Sequence, residues 1–149
     1  MSIVKVLDGQ ARRFRRGGSL ASSVTATIPE GYFLKRASGT DEYETIDGSG
    51  AVVVFLNLVG TDRNDVTSGG PAVIGGESYE LETDVYDSVT TFTMDSQVTV
   101  KLIGAGVSGI LAMATSGDQI NGYVLEAPST ANGSVLRVLM HAASVGTVA

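Results

Sequence analysis

The sequence predicts an all-β protein, a single β-barrel or β-sandwich domain with an extended N-terminal arm. Three observations point there. Glycine takes 19 of the 149 positions, nearly twice its usual share of about 7%. Valine and threonine, which pack well on a pleated surface, number 19 and 14 against only 3 lysines. Short apolar stretches recur between turn signals, and no segment carries a clean helical stripe of more than two turns. A chain of this length makes one domain with a real core, so neither a disulfide nor a metal is needed to hold it.

The arm comes first. Residues 3–7 read as a short strand and lead into Arg12, Arg13, Phe14, Arg15 and Arg16, then Gly17, Gly18 and small polar residues to position 23. Four arginines repel one another and two glycines loosen the backbone, while no apolar face emerges at period 2 or 3.6. Residues 1–22 are therefore expected to be an extended basic arm, and residues 23–149 an all-β body. Within the body, strand-like stretches fall at 24–28, 32–35, 43–46, 51–59, 78–83, 89–93, 98–103, 110–115, 120–126 and 135–140. Pro29-Glu30-Gly31, Asp47-Gly48-Ser49-Gly50, Ser68-Gly69-Gly70-Pro71, Gly75-Gly76, Ser116-Gly117-Asp118 and Asn132-Gly133 punctuate them as turns. Ten short stretches at this spacing suit a sandwich or barrel, and no linker or internal repeat divides them.

The net charge of −6 hides a division. Residues 1–36 hold seven basic and two acidic side chains, a net +5, whereas residues 37–149 hold three basic and fourteen acidic ones, a net −11. Such asymmetry implies an arm and a body with different jobs. With no cysteine and one histidine, a disulfide framework, a Cys-ligated metal, a thiol nucleophile and a His-rich metal site are excluded. The longest unbroken apolar run, residues 51–56, falls far short of the roughly 20 residues of a membrane helix. The first residues lack the apolar stretch of a signal peptide. The expectation is a soluble protein made in the cytosol, with no membrane partner.

Gly104, Gly106 and Gly109 spell G-x-G-x-x-G after the stretch 98–103, and Glu126 follows at a spacing suited to a ribose contact. That pattern resembles the start of a dinucleotide-binding enzyme, the remote alternative for this chain. Three features weigh against it. Six residues, 110–115, separate the motif from the next turn, too few for a crossover helix. Another 23 residues follow Glu126, and the preceding chain reads as β without alternating helices. The motif is expected to be a glycine-rich β connection, with no cofactor bound. His141, the one imidazole, lacks a G-x-S-x-G elbow and is expected to be an end-of-strand residue, so no catalytic group is assigned. Asp41, Glu42, Glu44, Asp62, Asp65, Asp84 and Asp87 are carboxylates of the kind a hard cation or a glycosidase uses. They match no twelve-residue loop pattern and are expected to be solvated, with no metal.

For the arginine cluster, nucleic acid is a poor partner. The acidic body repels phosphate, and Phe14 is the one aromatic side chain interleaved with the arginines. An acidic protein surface fits better. Arg12, Arg13, Arg15 and Arg16 would fork onto carboxylates, Phe14 would anchor, and the strand holding Ile3, Val4 and Val6 would add to an exposed sheet edge. Alternatively, the arm of one subunit lies on the acidic body of its neighbour.

Two stretches resemble a known group. Residues 109–128 read Gly-Ile-Leu-Ala-Met-Ala-Thr-Ser-Gly-Asp-Gln-Ile-Asn-Gly-Tyr-Val-Leu-Glu-Ala-Pro, followed by a glycine-containing turn and Val-Leu-Arg-Val-Leu-Met. Thr61-Asp62-Arg63-Asn64-Asp65-Val66 and Gly75-Gly-Glu-Ser-Tyr-Glu-Leu-Glu-Thr-Asp84 belong to the same comparison. Together they cover roughly the second half of the chain and resemble tailed-bacteriophage head proteins of the decoration, cement or head-fibre kind. The resemblance implies a non-enzymatic virion protein on the outer capsid surface that staples neighbouring major capsid subunits. It also implies a homo-oligomer, a trimer before a dimer, and an N-terminal arm laid on the shell. A tail or receptor-binding module is the alternative within the virion.

Overall fold

The computed structural model describes residues 3–9, 13–16, 19–39, 42–47, 50–58, 72–75, 78–103, 107–141 and 143–149. Eleven strands and no helix form among them: β1 (Val4–Gly9), β2 (Arg13–Arg16), β3 (Phe33–Arg36), β4 (Tyr43–Thr45), β5 (Phe55–Asn57), β6 (Ala72–Gly75), β7 (Tyr79–Thr83), β8 (Gln97–Ile103), β9 (Val107–Met113), β10 (Gly122–Glu126) and β11 (Leu136–Met140). The all-β expectation holds. The strands sort into two open antiparallel sheets packed as a sandwich, with order β1-β7-β11-β10-β8-β9 in one and β2-β6-β5-β3-β4 in the other.

Period-2 alternation decides which side chains meet between the sheets. Tyr79 and Leu81 on β7, Leu136, Val138 and Met140 on β11, Val124 on β10, and Val98 and Val100 on β8 point inward. They pack against Phe33, Leu56, Ile46 and Val54 from the smaller sheet and its connections, all essentially inaccessible to solvent. The smaller sheet buries its other face as well. Leu34 and Tyr43 there pack beneath Leu20, Val24 and Ile28, with Phe55 and Tyr32 at the margin. The adjacent pair Phe33-Leu34 is thus buried on both sides, which alternation alone does not produce.

Several local expectations are corrected. Residues 24–28 are no strand; they cross the outer face of the smaller sheet as an irregular cover, placing Val24 and Ile28 in the second core. Residues 89–93 form no strand either, because Asp87 captures the Val89 N–H (3.1 Å) and the Thr90 hydroxyl and turns the chain. Conversely, Arg13–Arg16 and Ala72–Gly75, read as arm and turn, pair with each other as β2 and β6.

The sheets come closest where β9 crosses β3. Gly109 lies there at φ +77°, and a Cβ would collide with the Phe33 carbonyl oxygen. Ser108 beside it donates its hydroxyl to the Ile46 carbonyl, joining the same corner. Gly117 has a similar φ of +88° but open space around it. We therefore expect Gly109→Ala to cost about 3 kcal/mol or more in chemical denaturation, from left-handed strain plus a backbone clash. Gly117→Ala should cost about 1 kcal/mol, the strain alone. Equal losses at the two positions would refute this account of the corner. A second expectation concerns Tyr79, whose hydroxyl is buried without a hydrogen-bond partner among the described residues and whose pKa burial pushes far above its ordinary value. Tyr79→Phe should leave stability unchanged or raise it by about 1 kcal/mol, since it removes an unsatisfied polar group. A clear fall in melting temperature would contradict that.

Candidate functional site

The N-terminal residues supply two edge strands, one to each sheet. β1 runs antiparallel to β7, with Lys5 opposite Glu82 and Gly9 opposite Tyr79. β2 runs antiparallel to β6, with Arg13 opposite Gly75 and Arg16 opposite Ala72. The paired residue numbers add to the same value at Gly9 and Tyr79 as at Arg13 and Gly75. The strand propensity of the expected arm is therefore satisfied within the chain. Val4 and Val6, expected to add to a partner's sheet edge, pair with Thr83 and Leu81 of the chain's own β7.

Ile3 donates its N–H to Asp84 Oδ1 at 2.8 Å, and the Asp84 N–H returns to the Ile3 carbonyl at 3.1 Å. Val4 packs on the main core. Val6 and Leu7 stay exposed at 36% and 39%, next to a register shift between Val6 and Asp8. Arg13, Phe14, Arg15 and Arg16 lie in sequence along β2, the edge strand of the smaller sheet. Arg12 falls outside the described residues, as do Asp41, Asp62 and Asp65.

The outer face of the larger sheet carries a cross-strand row of alternating charge. Lys5, Glu82, Arg137 and Glu126 stand opposite one another in register on β1, β7, β11 and β10. Opposite charges facing each other across a ladder stabilise it by roughly 0.2–1 kcal/mol per pair. Glu82, Glu126 and Arg137 also line a cavity of about 70 Å³ with Asn132 and Val135. Asn132 organises the adjoining turn: its amide donates to Glu126 Oε1 and to the carbonyls of Ala127 and Val135 at 3.0–3.1 Å. Sequence reasoning missed this row, because its members are far apart in the chain and only register aligns them.

The other candidates scatter. Gly109 lies in β9, which pairs antiparallel with β8 as a hairpin, while Gly104 and Gly106 fall outside the described residues. A dinucleotide loop needs a parallel strand reached through a helix. Glu126 serves the Asn132 turn. Glu44 pairs with Lys35 at 3.5 Å, and Asp47 pairs with it at 3.0 Å. The hydrogen bond to Asp47 raises the lysine's pKa and lowers the aspartate's, in an exposed setting where such pairs contribute little. His141 Nδ1 sits 2.8 Å from Ser78 Oγ and its ring meets Tyr123 edge-on. No set of three His, Asp or Glu side chains gathers for a metal among the described residues.

Two polar nodes hold the body beneath these surfaces. Asn121, fully buried, accepts the Val100 N–H at Oδ1 (3.0 Å) and donates Nδ2 to the Ala51 carbonyl (3.1 Å). Asp118, 5% exposed, binds Lys101 Nζ at 2.8 Å and the Thr115 N–H and hydroxyl at 2.9 and 3.0 Å. Burial pushes the Asp118 carboxyl up, but Lys101 and the two Thr115 donors outweigh it and hold the carboxyl below its ordinary range. Compared with family models, curated proteins and solved structures, the chain matches none.

A carboxyl whose folded pKa is depressed stabilises the fold above its unfolded value, about 3.9, and loses that contribution as pH falls through the folded value. Asp118→Asn should therefore cost about 2 kcal/mol at neutral pH, the loss of charge-assisted bonds. It should also flatten the decline in stability below pH ~4. Denaturation curves across the acid range test this, and a variant with the full acid slope would rule Asp118 out as its source.

Proposed function

We propose that this chain is a structural virion protein of a tailed phage, a decoration or cement protein. In this reading it binds the outer capsid surface and staples neighbouring major capsid subunits. The observation that carries the reading is the placement of the basic N-terminal stretch. Three arginines of β2 run along a sheet edge of a chain whose remaining surface is strongly acidic. An edge of that kind suits an acidic protein surface and suits phosphate poorly, because the body charge opposes a polyanion.

Three further features support the assignment. The resemblance of residues 61–84 and 109–140 to phage head proteins supplies the setting. The buried nodes at Asn121 and Asp118 give the rigidity that a staple requires. A homo-oligomer, with a trimer the first expectation, would engage several capsid subunits at once, and such avidity multiplies affinity by roughly 10²–10⁴.

Bare capsids of the encoding phage are the test surface. Wild-type protein should saturate them at a simple ratio to the major capsid subunit. A variant with Arg12, Arg13, Arg15 and Arg16 all changed to Ser keeps the strands intact and should bind roughly 10²-fold more weakly. Undiminished binding by that variant would remove the arginines from the docking surface. A few copies per particle, confined to a vertex or tail, would instead assign the chain to a head fibre or receptor-binding module.

A further inference from the structure

We propose that Asn132 and Gly133 form a site of spontaneous deamidation, gated by opening of the turn between β10 and β11, and that the reaction leaves this turn unable to reclose. Covalent ageing of this kind is independent of what the protein binds.

An asparagine followed by glycine is the pair most open to the reaction, because glycine puts no side chain in the path of attack. The glycine backbone nitrogen attacks the asparagine Cγ and gives up its proton, and ammonia leaves. The five-membered succinimide then takes up water and opens to aspartate or to its β-linked isomer. One water is consumed and one ammonia released. Two such pairs occur in the chain, Asn121-Gly122 and Asn132-Gly133. By sequence they are equivalent, and the fold separates them.

Asn121 is locked in the core. Its Oδ1 accepts the Val100 N–H at 3.0 Å, and its Nδ2 donates to the Ala51 carbonyl at 3.1 Å. Gly122 is buried on β10, paired with Met140 of β11 on one side and Val98 of β8 on the other. A Cβ at Gly122 would collide with the Leu139 carbonyl oxygen, so its backbone has no space to swing toward the Asn121 side chain while the sheet stands.

Asn132 is held as firmly, but at the surface. Its Nδ2 donates to Glu126 Oε1 and to the carbonyls of Ala127 and Val135 at 3.0–3.1 Å. Its Oδ1 accepts the N–H groups of Ser129 and Val135 at 2.9 and 3.2 Å. The Gly133 N–H is directed at the Thr130 carbonyl at 3.3 Å. In the closed turn, nucleophile and Cγ are thus both engaged elsewhere. What differs from Asn121 is the ease of release. Thr130, Ala131, Gly133 and Ser134 are exposed. Gly133 and Ser134 are left-handed, at φ +76° and +60°, and for serine, which carries a Cβ, that conformation is strained. An exposed, strained turn opens locally, whereas a pair in the middle of a sheet waits for global unfolding.

The product cannot restore the turn. A carboxylate only accepts hydrogen bonds, and it takes the place of the amide nitrogen that now donates to Glu126 Oε1 and two carbonyls. All three contacts become acceptor against acceptor, one of them between two negative charges.

The test holds the full chain at mildly alkaline pH, in buffer and in concentrated urea, and follows both sites by digestion and mass spectrometry. In urea the two sites should react at similar rates. In buffer both should slow, with Asn132 converting about tenfold faster than Asn121 or more. Asn132 reacting as fast in buffer as in urea would show that the turn is no gate. Equal rates at the two sites in buffer, or a faster Asn121, would show that no local opening occurs. Either result overturns the proposal. Asn132→Asp reports on the second step: amide exchange at Ser129 and Val135 should quicken about tenfold or more. Unchanged exchange there would mean that the turn does reclose. If that variant fails to fold, wild-type chain aged to full conversion at Asn132 supplies the same measurement.

Discussion

Asn121 is fully buried, and each polar group it carries has a partner. Its side chain reaches β8 through the Val100 N–H and the incoming connection through the Ala51 carbonyl. Its backbone takes the Val98 carbonyl and the His141 N–H at 2.9 and 2.8 Å. One residue thereby joins β8, the start of β10, the end of β11 and the segment that leads into β5 of the opposite sheet. In a low-dielectric interior such a network is strong when complete and costly when one member is lost. The connection it grips has no room for a side chain at Gly50, where a Cβ would lie 2.8 Å from the Val100 carbonyl oxygen. Asp118, three residues earlier, adds a charged version of the same arrangement. Between these nodes the C-terminal residues are laced to the body, Gly117 N–H to Val148 carbonyl and Ile120 N–H to Gly146 carbonyl.

Around that centre lie the edge strands of the two sheets, β1 and β9 in the larger and β2 and β4 in the smaller. The N-terminal stretch contributes one edge strand to each sheet, β1 to the larger and β2 to the smaller. It also divides the charge. Lys5 of β1 joins the alternating row on the outer face of the larger sheet, while Arg13, Arg15 and Arg16 lie on the margin of the smaller one.

Much of the larger sheet was legible. Residues 79–83 alternate apolar and polar, residues 136–140 do so up to Leu139, and both are strands with every second side chain buried. Of the glycine run, residues 107–109 open β9, which pairs with β8, while residues 104–106 lie outside the described residues. The smaller sheet was harder to read. Arg-Phe-Arg-Arg shows no apolar face, and Ala-Val-Ile-Gly after Pro71 looks like the margin of a turn, yet each completes the other as β2 and β6. Residues 24–28 have strand composition, but their apolar side chains were needed over Leu34 and Tyr43, and packing overrode propensity.

By itself the sequence determined the β content, the turns at 29–31, 116–118 and 132–133, and the split between a basic N-terminal stretch and an acidic remainder. These are local properties, set by side-chain size, backbone freedom and charge at each position. Tertiary structure alone decided that the basic stretch is an edge strand of the body. It also decided that Phe33 and Leu34 are both buried and that Lys5, Glu82, Arg137 and Glu126 form a row. The physical reason is that strand pairing is non-local. Period-2 patterning tells which face a residue occupies, but the hydrogen-bond partner across the ladder lies as many as 79 residues away, as between Val4 and Thr83. Only the folded chain chooses it.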